Sequence, residues 1–177
     1  METFTEVKNF VEDNSFDENR RKYLNEIDIY SIDKPILDLI KGFSNLPYCF
    51  TLQSCYGHFL HKYQSNPNDT EPLAMSNKIV DVDYRIAYIA ICIENNYLGR
   101  ELYDELKKIP EFEPDYIQFG CADFFWNEIV NSYVLQVEPK KFMTKDIISI
   151  DYNESLHLET VRNQFFTKLE KLIQKRV

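Results

Sequence analysis

The sequence is short of glycine and of long apolar runs, and both shortages exclude classes of protein. With four glycines in 177 residues, the chain lacks the glycine signatures of dinucleotide-binding folds and of phosphate-binding loops. It also lacks the Gly-x-Ser-x-Gly and His-Glu-x-x-His signatures of two hydrolase classes. No apolar stretch approaches the ~18 residues that a membrane-spanning helix requires. We therefore expect no membrane partner and no ordinary nucleotide-binding fold.

Positive charge is also scarce. The chain has 20 Lys and Arg residues against 29 Asp and Glu residues, which gives a formal net charge of -9. An acidic protein repels polyanions at long range, so binding to nucleic acid mainly through phosphate contacts is disfavoured. A local basic patch or the binding of one exposed nucleotide is still compatible with this charge. We expect a small molecule as the partner, with nucleic acid as the less favoured alternative.

The chain has four cysteines: Cys49, Cys55, Cys92 and Cys121. An even number would allow disulfide bonds, but the first residues are acidic and lack the basic and apolar regions of a signal peptide. Free thiols buried in a core are usual for a protein of a reducing compartment. We therefore predict a cytoplasmic protein with free cysteines.

The apolar patterns predict one globular domain over residues 1–177 with an α/β or α+β fold. Hydrophobic residues make up 44% of the chain, which is enough for a substantial core. Phe4, Val7 and Val11 have helical spacing, and the same period recurs over residues 158–172. We expect a mixed β-sheet packed by long N- and C-terminal helices, in an arrangement that differs from a Rossmann fold.

Local signals place the elements between these two helices. Asp33 is suited to cap a second helix, with Pro35 in its first turn. Residues 49–55 alternate as a strand, and the polar residues 64–78 read as a long loop. The near-continuous apolar run of residues 84–93 predicts a central strand that is covered on both faces.

Residues 51–58 (Thr-Leu-Gln-Ser-Cys-Tyr-Gly-His) combine several side chains that can bind a ligand or take part in a reaction. They predict a strand that ends in a glycine turn and brings a thiol, hydroxyls and an imidazole to one point. Cys55 and His58 could form a nucleophile and its base. Alternatively, Ser54, Cys55 and the N–H groups of the turn form a nest for a ligand. A third interpretation is a thiol at the end of a strand beside an exposed histidine. We favour a turn that shapes a ligand pocket, with thiol and imidazole as lining groups.

A metal site at this motif is the less favoured hypothesis. Cys55, His58 and His61 form a Cys-x-x-His-x-x-His string, and zinc prefers sulfur and nitrogen ligands. Three ligands so closely spaced in one turn are difficult to direct at one ion, and no second Cys/His pair follows. We expect no metal.

A second candidate cluster lies around Phe124, Phe125 and Trp126. Asp123 and Glu128 flank these rings, and a carboxylate beside aromatic rings can act as an acid or base. It can also bind a ribose while a ring stacks on the base. The alternative, which general burial statistics favour, is a packed aromatic corner with exposed acidic groups.

The stretch that begins with the two N-terminal helices and ends at the glycine turn resembles the wybutosine-synthesising tRNA methyltransferase family. That family carries a Thr-Thr-Ser-Ser-Cys-Ser-Gly-Arg type of motif at the end of its first strand. The match covers five residues of this chain: Phe50, Thr51, Ser54, Cys55 and Gly57. The order of the later strand and helices is also similar.

The resemblance implies an α/β fold outside the Rossmann methyltransferases and S-adenosylmethionine as the cofactor. It implies methyl transfer to a nucleoside-like substrate. By motif position, the resemblance places Ser54, Cys55 and Gly57 in the cofactor pocket. We add Gln53 and Trp126 as further candidates for cofactor binding, and His58 and Asp123 as candidates for catalysis. The family offers no clear counterpart to the segment that holds Asp123 and Trp126.

This chain departs from the family pattern at two positions of the motif. His58 stands where the family has arginine, and Tyr56 stands where it has a small serine. Histidine does not bind a carboxylate in the bidentate manner of arginine. The alternative function is a non-catalytic domain that kept the scaffold and binds a small ligand or a regulatory partner.

Overall fold

The computed structural model describes residues 4–64, 66–76, 78–142 and 145–176. In these ranges the helices are α1 (Phe16–Glu26), α2 (Leu37–Asn45), α3 (Tyr97–Leu106), α4 (Asp123–Glu128) and α5 (Tyr152–Gln174). The strands are β1 (Phe4–Thr5), β2 (Cys49–Cys55), β3 (His58–Leu60), β4 (Asp81–Arg85), β5 (Ala87–Ile93), β6 (Ile117–Ala122), β7 (Ser132–Val137) and β8 (Ile147–Asp151). The predicted combination of helices and strands is confirmed.

The strands form two sheets instead of one. The larger sheet has the order β1-β6-β7-β5-β2, and the smaller one has the order β3-β4-β8. Every strand pair among the described residues is antiparallel. The predicted mixed sheet is therefore wrong, because apolar patterns mark where strands lie and carry no information on their relative direction.

The large sheet is covered by helices on both faces. Ile89, Ile91 and Ile93 of β5 point into the main core, which they share with α2, α3 and α5. Ala90 and Cys92 point to the opposite face, where residues of α1 and α4 pack on them. The prediction of a central strand buried on both faces is confirmed for β5.

The N-terminal helix predicted from Phe4 is wrong. Phe4 and Thr5 form β1 and pair with the edge of β6. Further along, the Asn131 side chain accepts a hydrogen bond from Val11 N at 2.9 Å and donates one to Val11 O at 2.9 Å. Contacts with distant residues thus satisfy the backbone groups that a helix would have satisfied, and α1 begins only at Phe16.

The apolar run of residues 84–93 is two strands, and they belong to different sheets. β4 ends at Arg85, β5 begins at Ala87, and the intervening Ile86 N donates to Asp146 O at 3.0 Å. The chain makes a second passage between the sheets from β2 to β3, through Tyr56 and Gly57. Both passages meet, because Gly57 lies directly against Ala87. We call this place the seam.

Gly57 fits the seam because it has no side chain. Its φ is +89°, and an added Cβ would lie 2.8 Å from the Ala87 Cβ and 3.0 Å from the Tyr84 hydroxyl. That hydroxyl is fixed, because it accepts from Ala87 N at 2.9 Å and donates to Val137 O at 3.1 Å. The Arg162 side chain of α5 donates to Gly57 O at 2.9 Å. A larger residue would have to displace backbone.

The C-terminal helix is confirmed as α5, and the Asp151 side chain caps it by accepting from Glu154 N at 2.9 Å. The four cysteines are free and buried, as predicted. Among the described residues, no helix combines the length and apolarity that crossing a membrane requires.

We predict that Gly57→Ala lowers the free energy of unfolding by about 2 to 4 kcal/mol, because it combines a positive φ with a clash against Ala87. Urea unfolding followed by circular dichroism measures this. Ser54→Ala is the control, because Ser54 lies in β2 just before the turn. It should lower the free energy of unfolding by less than about 0.5 kcal/mol. Equal stabilities for Gly57→Ala and the unchanged chain would contradict the account of the seam.

Candidate functional site

The motif strand forms as predicted, and its end delivers the motif residues to one place. β2 runs from Cys49 to Cys55 and pairs with β5. A bulge between Thr51 and Gln53 interrupts the alternation, so Thr51 is buried whereas Gln53 is exposed. The Tyr56–Gly57 turn then leads the chain from the larger sheet into the smaller one, where His58 begins β3.

A cavity of about 860 Å³ opens beside this turn. We call it the β2 cavity. Four motif residues line it: Gln53, Ser54, Cys55 and His58. The segment before α2, the loop after β3, the start of β5 and the residues before β8 complete its wall, with Tyr30, Asp33, Lys34, Asp69, Arg85, Tyr88 and Asp146 among them.

Three side chains converge at the inner wall of the cavity: Asp33, Cys55 and His58. Their oxygen, sulfur and nitrogen atoms all lie within 4.8 Å of one another. The His58 Nε2 is 3.3 Å from the Asp33 Oδ2. The His58 side chain is 3% exposed and that of Asp33 is 19% exposed, so the cluster lies at the boundary between core and cavity.

Backbone groups fix the orientation of each member of this cluster. His58 Nδ1 is 3.1 Å from Asp69 O, and this carbonyl requires a proton on Nδ1. Tyr56 N donates to the Asp33 Oδ2 at 2.8 Å. Gly57 N donates to the Cys55 Sγ at 3.4 Å. The turn of the motif therefore holds the carboxylate and the thiol, and the loop after β3 holds the imidazole.

The electrostatics of the cluster favour a charged ion pair. Hydrogen bonds to Asp33 and to Cys55 raise the pKa of His58 to about 10, although burial opposes the shift. Burial alone would raise the pKa of Asp33, but the hydrogen bonds from His58 and Tyr56 N outweigh it and lower this pKa. At neutral pH His58 is therefore an imidazolium, and both of its ring nitrogens face acceptors.

The other predicted site residues lie elsewhere. Gly57 supports the site from the seam and does not line the cavity. Asp123 forms an ion pair with Lys8 at 2.8 Å, and this Lys8 ammonium also lies over the Trp126 ring at 5.3 Å. Neither Asp123 nor Trp126 lines the β2 cavity. The structure therefore does not bring them together with His58 in this cavity: α4 begins directly after β6, where β6 pairs with β1.

His61 also points away from the cluster. Its ring lies beside Tyr63, and its Nδ1 accepts a long hydrogen bond of 3.4 Å from Tyr63 N. The Cys-x-x-His-x-x-His string therefore does not converge, in line with the expectation from its spacing. The third member of the cluster is Asp33 instead.

The sequence signal at Asp33 was misleading. Asp33 precedes Lys34 and Pro35 as a helix cap would, yet its side chain makes no capping hydrogen bond. It reaches across to Tyr56 N and His58. Arg85 and Asp69 were also missed, because one ends a strand and the other lies in a polar loop without any motif.

We predict that Asp33→Asn lowers the pKa of His58 from about 10 toward its ordinary value of 6.5, because it removes the main cause of the shift. NMR titration of the His58 ring protons, in the presence of a chelator, measures this. A raised pKa stabilises the fold fully below the unfolded value and loses that effect as pH rises toward the folded value. Wild-type stability should thus fall from pH 6.5 to about 10, and the variant should lose less.

Asp38→Asn is the control variant for this titration, because Asp38 is exposed and pairs with Lys41 on the surface of α2. It should leave the pKa of His58 unchanged. An unaltered His58 titration in Asp33→Asn would refute the ion pair.

The fold has a counterpart among solved structures. No protein-family profile matches the chain, and no curated protein matches it either. The chain is similar to the structure of PH1069 protein from Pyrococcus horikoshii, with a TM-score of 0.52 and 12% sequence identity. The similarity covers 91% of this chain and 95% of that chain. At this identity it concerns the fold alone.

Proposed function

We propose that the chain is a cytoplasmic enzyme that binds S-adenosylmethionine in the β2 cavity and transfers its methyl group to a nucleoside-like substrate. One observation carries the proposal. Two of the five residues on which the resemblance to the wybutosine-synthesising methyltransferases depends, Ser54 and Cys55, line the wall of the β2 cavity. Gln53 and His58 of the same motif join them there.

The size and rim of the cavity suit a nucleoside. Its volume of about 860 Å³ lies within the range of about 300 to 1,000 Å³ that is usual for small-molecule sites. The Tyr30 side chain is 93% exposed and stands at the rim. Large exposed rings beside a cavity are suited to stack on a purine, so Tyr30 is our candidate for contact with a base.

The charges around the cavity match the amino-acid part of the cofactor, which carries a carboxylate and an ammonium group. Arg85 and Lys34 supply the positive charges, and Asp69 and Asp146 supply negative ones. Arg85 is the cross-strand partner of His58. It therefore places a guanidinium beside the position where the related motif has its arginine, and a guanidinium binds carboxylates well.

The proposed reaction is an in-line displacement at carbon. A nucleophilic atom of the substrate attacks the methyl carbon as the bond from this carbon to the sulfonium sulfur breaks, and the electron pair of that bond stays on sulfur. The substrate atom releases its proton to solvent, and S-adenosylhomocysteine is the second product. Such a transfer depends mainly on positioning and needs little acid or base catalysis.

This requirement suits the role that the geometry leaves for His58. Its nitrogens already face Asp69 O and Asp33, so it acts through these groups as a positioning residue and does not take a proton from the substrate. Asp123 and Trp126 have no part in the proposed site.

A binding-only function is the second candidate, and the hydrogen bonds that engage both nitrogens of His58 favour it. Because His58 is fully engaged, the described part of the cavity wall offers no unengaged imidazole as a base. A domain that captures the cofactor or another nucleoside without reacting would show the same geometry.

We predict that Arg85→Ala weakens S-adenosylmethionine binding by about 10- to 100-fold, because a charge-assisted hydrogen bond to the cofactor carboxylate is lost. Isothermal calorimetry measures it. Arg100→Ala is the matched control, because Arg100 lies on α3 and contacts Asn95 and the Phe10 ring. Its affinity should equal that of the wild type. No heat and no thermal shift with millimolar cofactor would exclude the proposed ligand.

A transfer assay separates the two candidates. We expect label from methyl-tritiated S-adenosylmethionine to appear in a nucleoside or in unfractionated RNA in the presence of the protein. The Arg85→Ala variant should transfer less at subsaturating cofactor and recover at high cofactor, because it changes binding and leaves the displacement itself intact. Tight cofactor binding without any transfer would establish the binding-only function.

A further inference from the structure

We infer that Asp33, Cys55 and His58 bind a zinc ion whose fourth coordination position opens into the β2 cavity. The inference rests on the geometry of these three side chains and is independent of the proposed methyl transfer. Its starting point is the convergence of a carboxylate oxygen, a thiol sulfur and an imidazole nitrogen within 4.8 Å of one another.

The spacing is close to that of a tetrahedral zinc site. With zinc–ligand distances of about 2.0 to 2.3 Å, ligand atoms in such a site lie roughly 3.3 to 3.6 Å apart. The Nε2 of His58 and the Oδ2 of Asp33 are already 3.3 Å apart. The sulfur of Cys55 lies within 4.8 Å of both atoms.

The surroundings of the three side chains are those of metal ligands. A ligating histidine typically donates its other ring nitrogen to a carbonyl or carboxylate, which fixes the tautomer. Here His58 Nδ1 faces Asp69 O at 3.1 Å and leaves Nε2 directed at Asp33. The sulfur of Cys55 accepts Gly57 N–H and the carboxylate of Asp33 accepts Tyr56 N–H, and both bonds stabilise an anionic ligand.

The donor set selects the class of ion. One sulfur, one nitrogen and one oxygen suit zinc and related transition metals, whereas magnesium and calcium prefer oxygen ligands alone. Three protein ligands are the usual number in a site whose fourth position holds water or substrate. Here the cluster forms part of the wall of the β2 cavity, so an ion held by it faces the space where a ligand would bind.

The ion would replace two protons, one on His58 Nε2 and one on Cys55 Sγ. Without metal, the positive charge of the cluster is that of the His58 imidazolium, which pairs with Asp33. Zinc takes the neutral imidazole and the thiolate, so its binding releases protons to solvent. No electron transfer is involved.

The sequence pointed to the wrong third ligand. The compact string ends in His61, which lies against Tyr63, while Asp33 arrives from the segment before α2. The objection that three ligands in one turn are difficult to direct at one ion therefore does not apply to this set, because one of the three comes from a separate element.

Cobalt substitution tests the site. The full chain, without a histidine tag and stripped with a chelator, is titrated with Co²⁺ under reducing conditions and then with Zn²⁺. We expect one equivalent of Co²⁺ to produce a thiolate-to-cobalt charge-transfer band in the near ultraviolet. Tetrahedral d–d bands in the visible range should accompany it, and Zn²⁺ should abolish both signals.

Variants assign the ligands. Cys55→Ala should abolish the charge-transfer band, and Asp33→Asn should weaken Co²⁺ binding by more than about tenfold. Asp33→Asn keeps the shape of the side chain, so it remains informative if Cys55→Ala is unstable. The matched controls are Cys121→Ala, His61→Ala and Asp38→Asn, which should bind as the wild type does.

Two results would overturn the inference. One is a wild-type protein that gives no charge-transfer band with excess Co²⁺. The other is a band that persists in Cys55→Ala, or that disappears equally in Cys121→Ala, because either pattern assigns the thiolate to a different site.

Discussion

The buried guanidinium of Arg162 is the interaction on which the arrangement of the two sheets depends. It is 2% exposed, donates to Gly57 O at 2.9 Å and lies 4.1 Å from the centre of the Tyr56 ring. A charge in this environment requires partners, and Glu159 provides one at 3.5 Å. The same Glu159 accepts from Leu73 N at 2.8 Å. One charged network thus fixes α5, the turn of the motif and the loop beyond β3.

The position of the site follows from this turn. Because Gly57 passes from one sheet to the other with a positive φ, Cys55 and His58 lie on two different strands and still face the same point. Asp33 reaches that point from the segment before α2, and Asp69 O reaches it from the loop. Three segments that are distant in sequence are therefore held by hydrogen bonds to the turn and to each other.

The sequence correctly predicted the elements that have a clear local pattern. It failed for segments whose conformation is determined by contacts with distant residues. β2 has clear alternation and α5 has clear periodicity, and both form as expected. The spacing of Phe4, Val7 and Val11 suggested a helix, but pairing with β6 and the bonds from Asn131 hold this segment extended. Within the apolar run of residues 84–93, nothing in the composition marks Ile86 as the change of sheet.

The candidate site was likewise predictable only where one local motif supplies its residues. Gln53, Ser54, Cys55 and His58 follow from one local motif, and the cavity confirms that they lie together. The partner of His58 was not predictable, because Asp33 is also a good helix cap by sequence. Asp123 and Trp126 were grouped with the motif by residue type alone. No local sequence pattern indicates that Asp123 forms an ion pair with Lys8.

The cluster of Asp33, Cys55 and His58 holds a cation beside a carboxylate and a thiol. In the described structure that cation is the imidazolium, with Nδ1 facing Asp69 O and Nε2 facing Asp33. A zinc ion would bind Nε2 and leave the bond from Nδ1 unchanged, so the same backbone carbonyl supports His58 in either state. In both states His58 has no nitrogen left to remove a proton from a substrate. The methyl transfer that we propose agrees with this arrangement, because a direct displacement at a methyl carbon depends mainly on how the cavity wall positions its ligand.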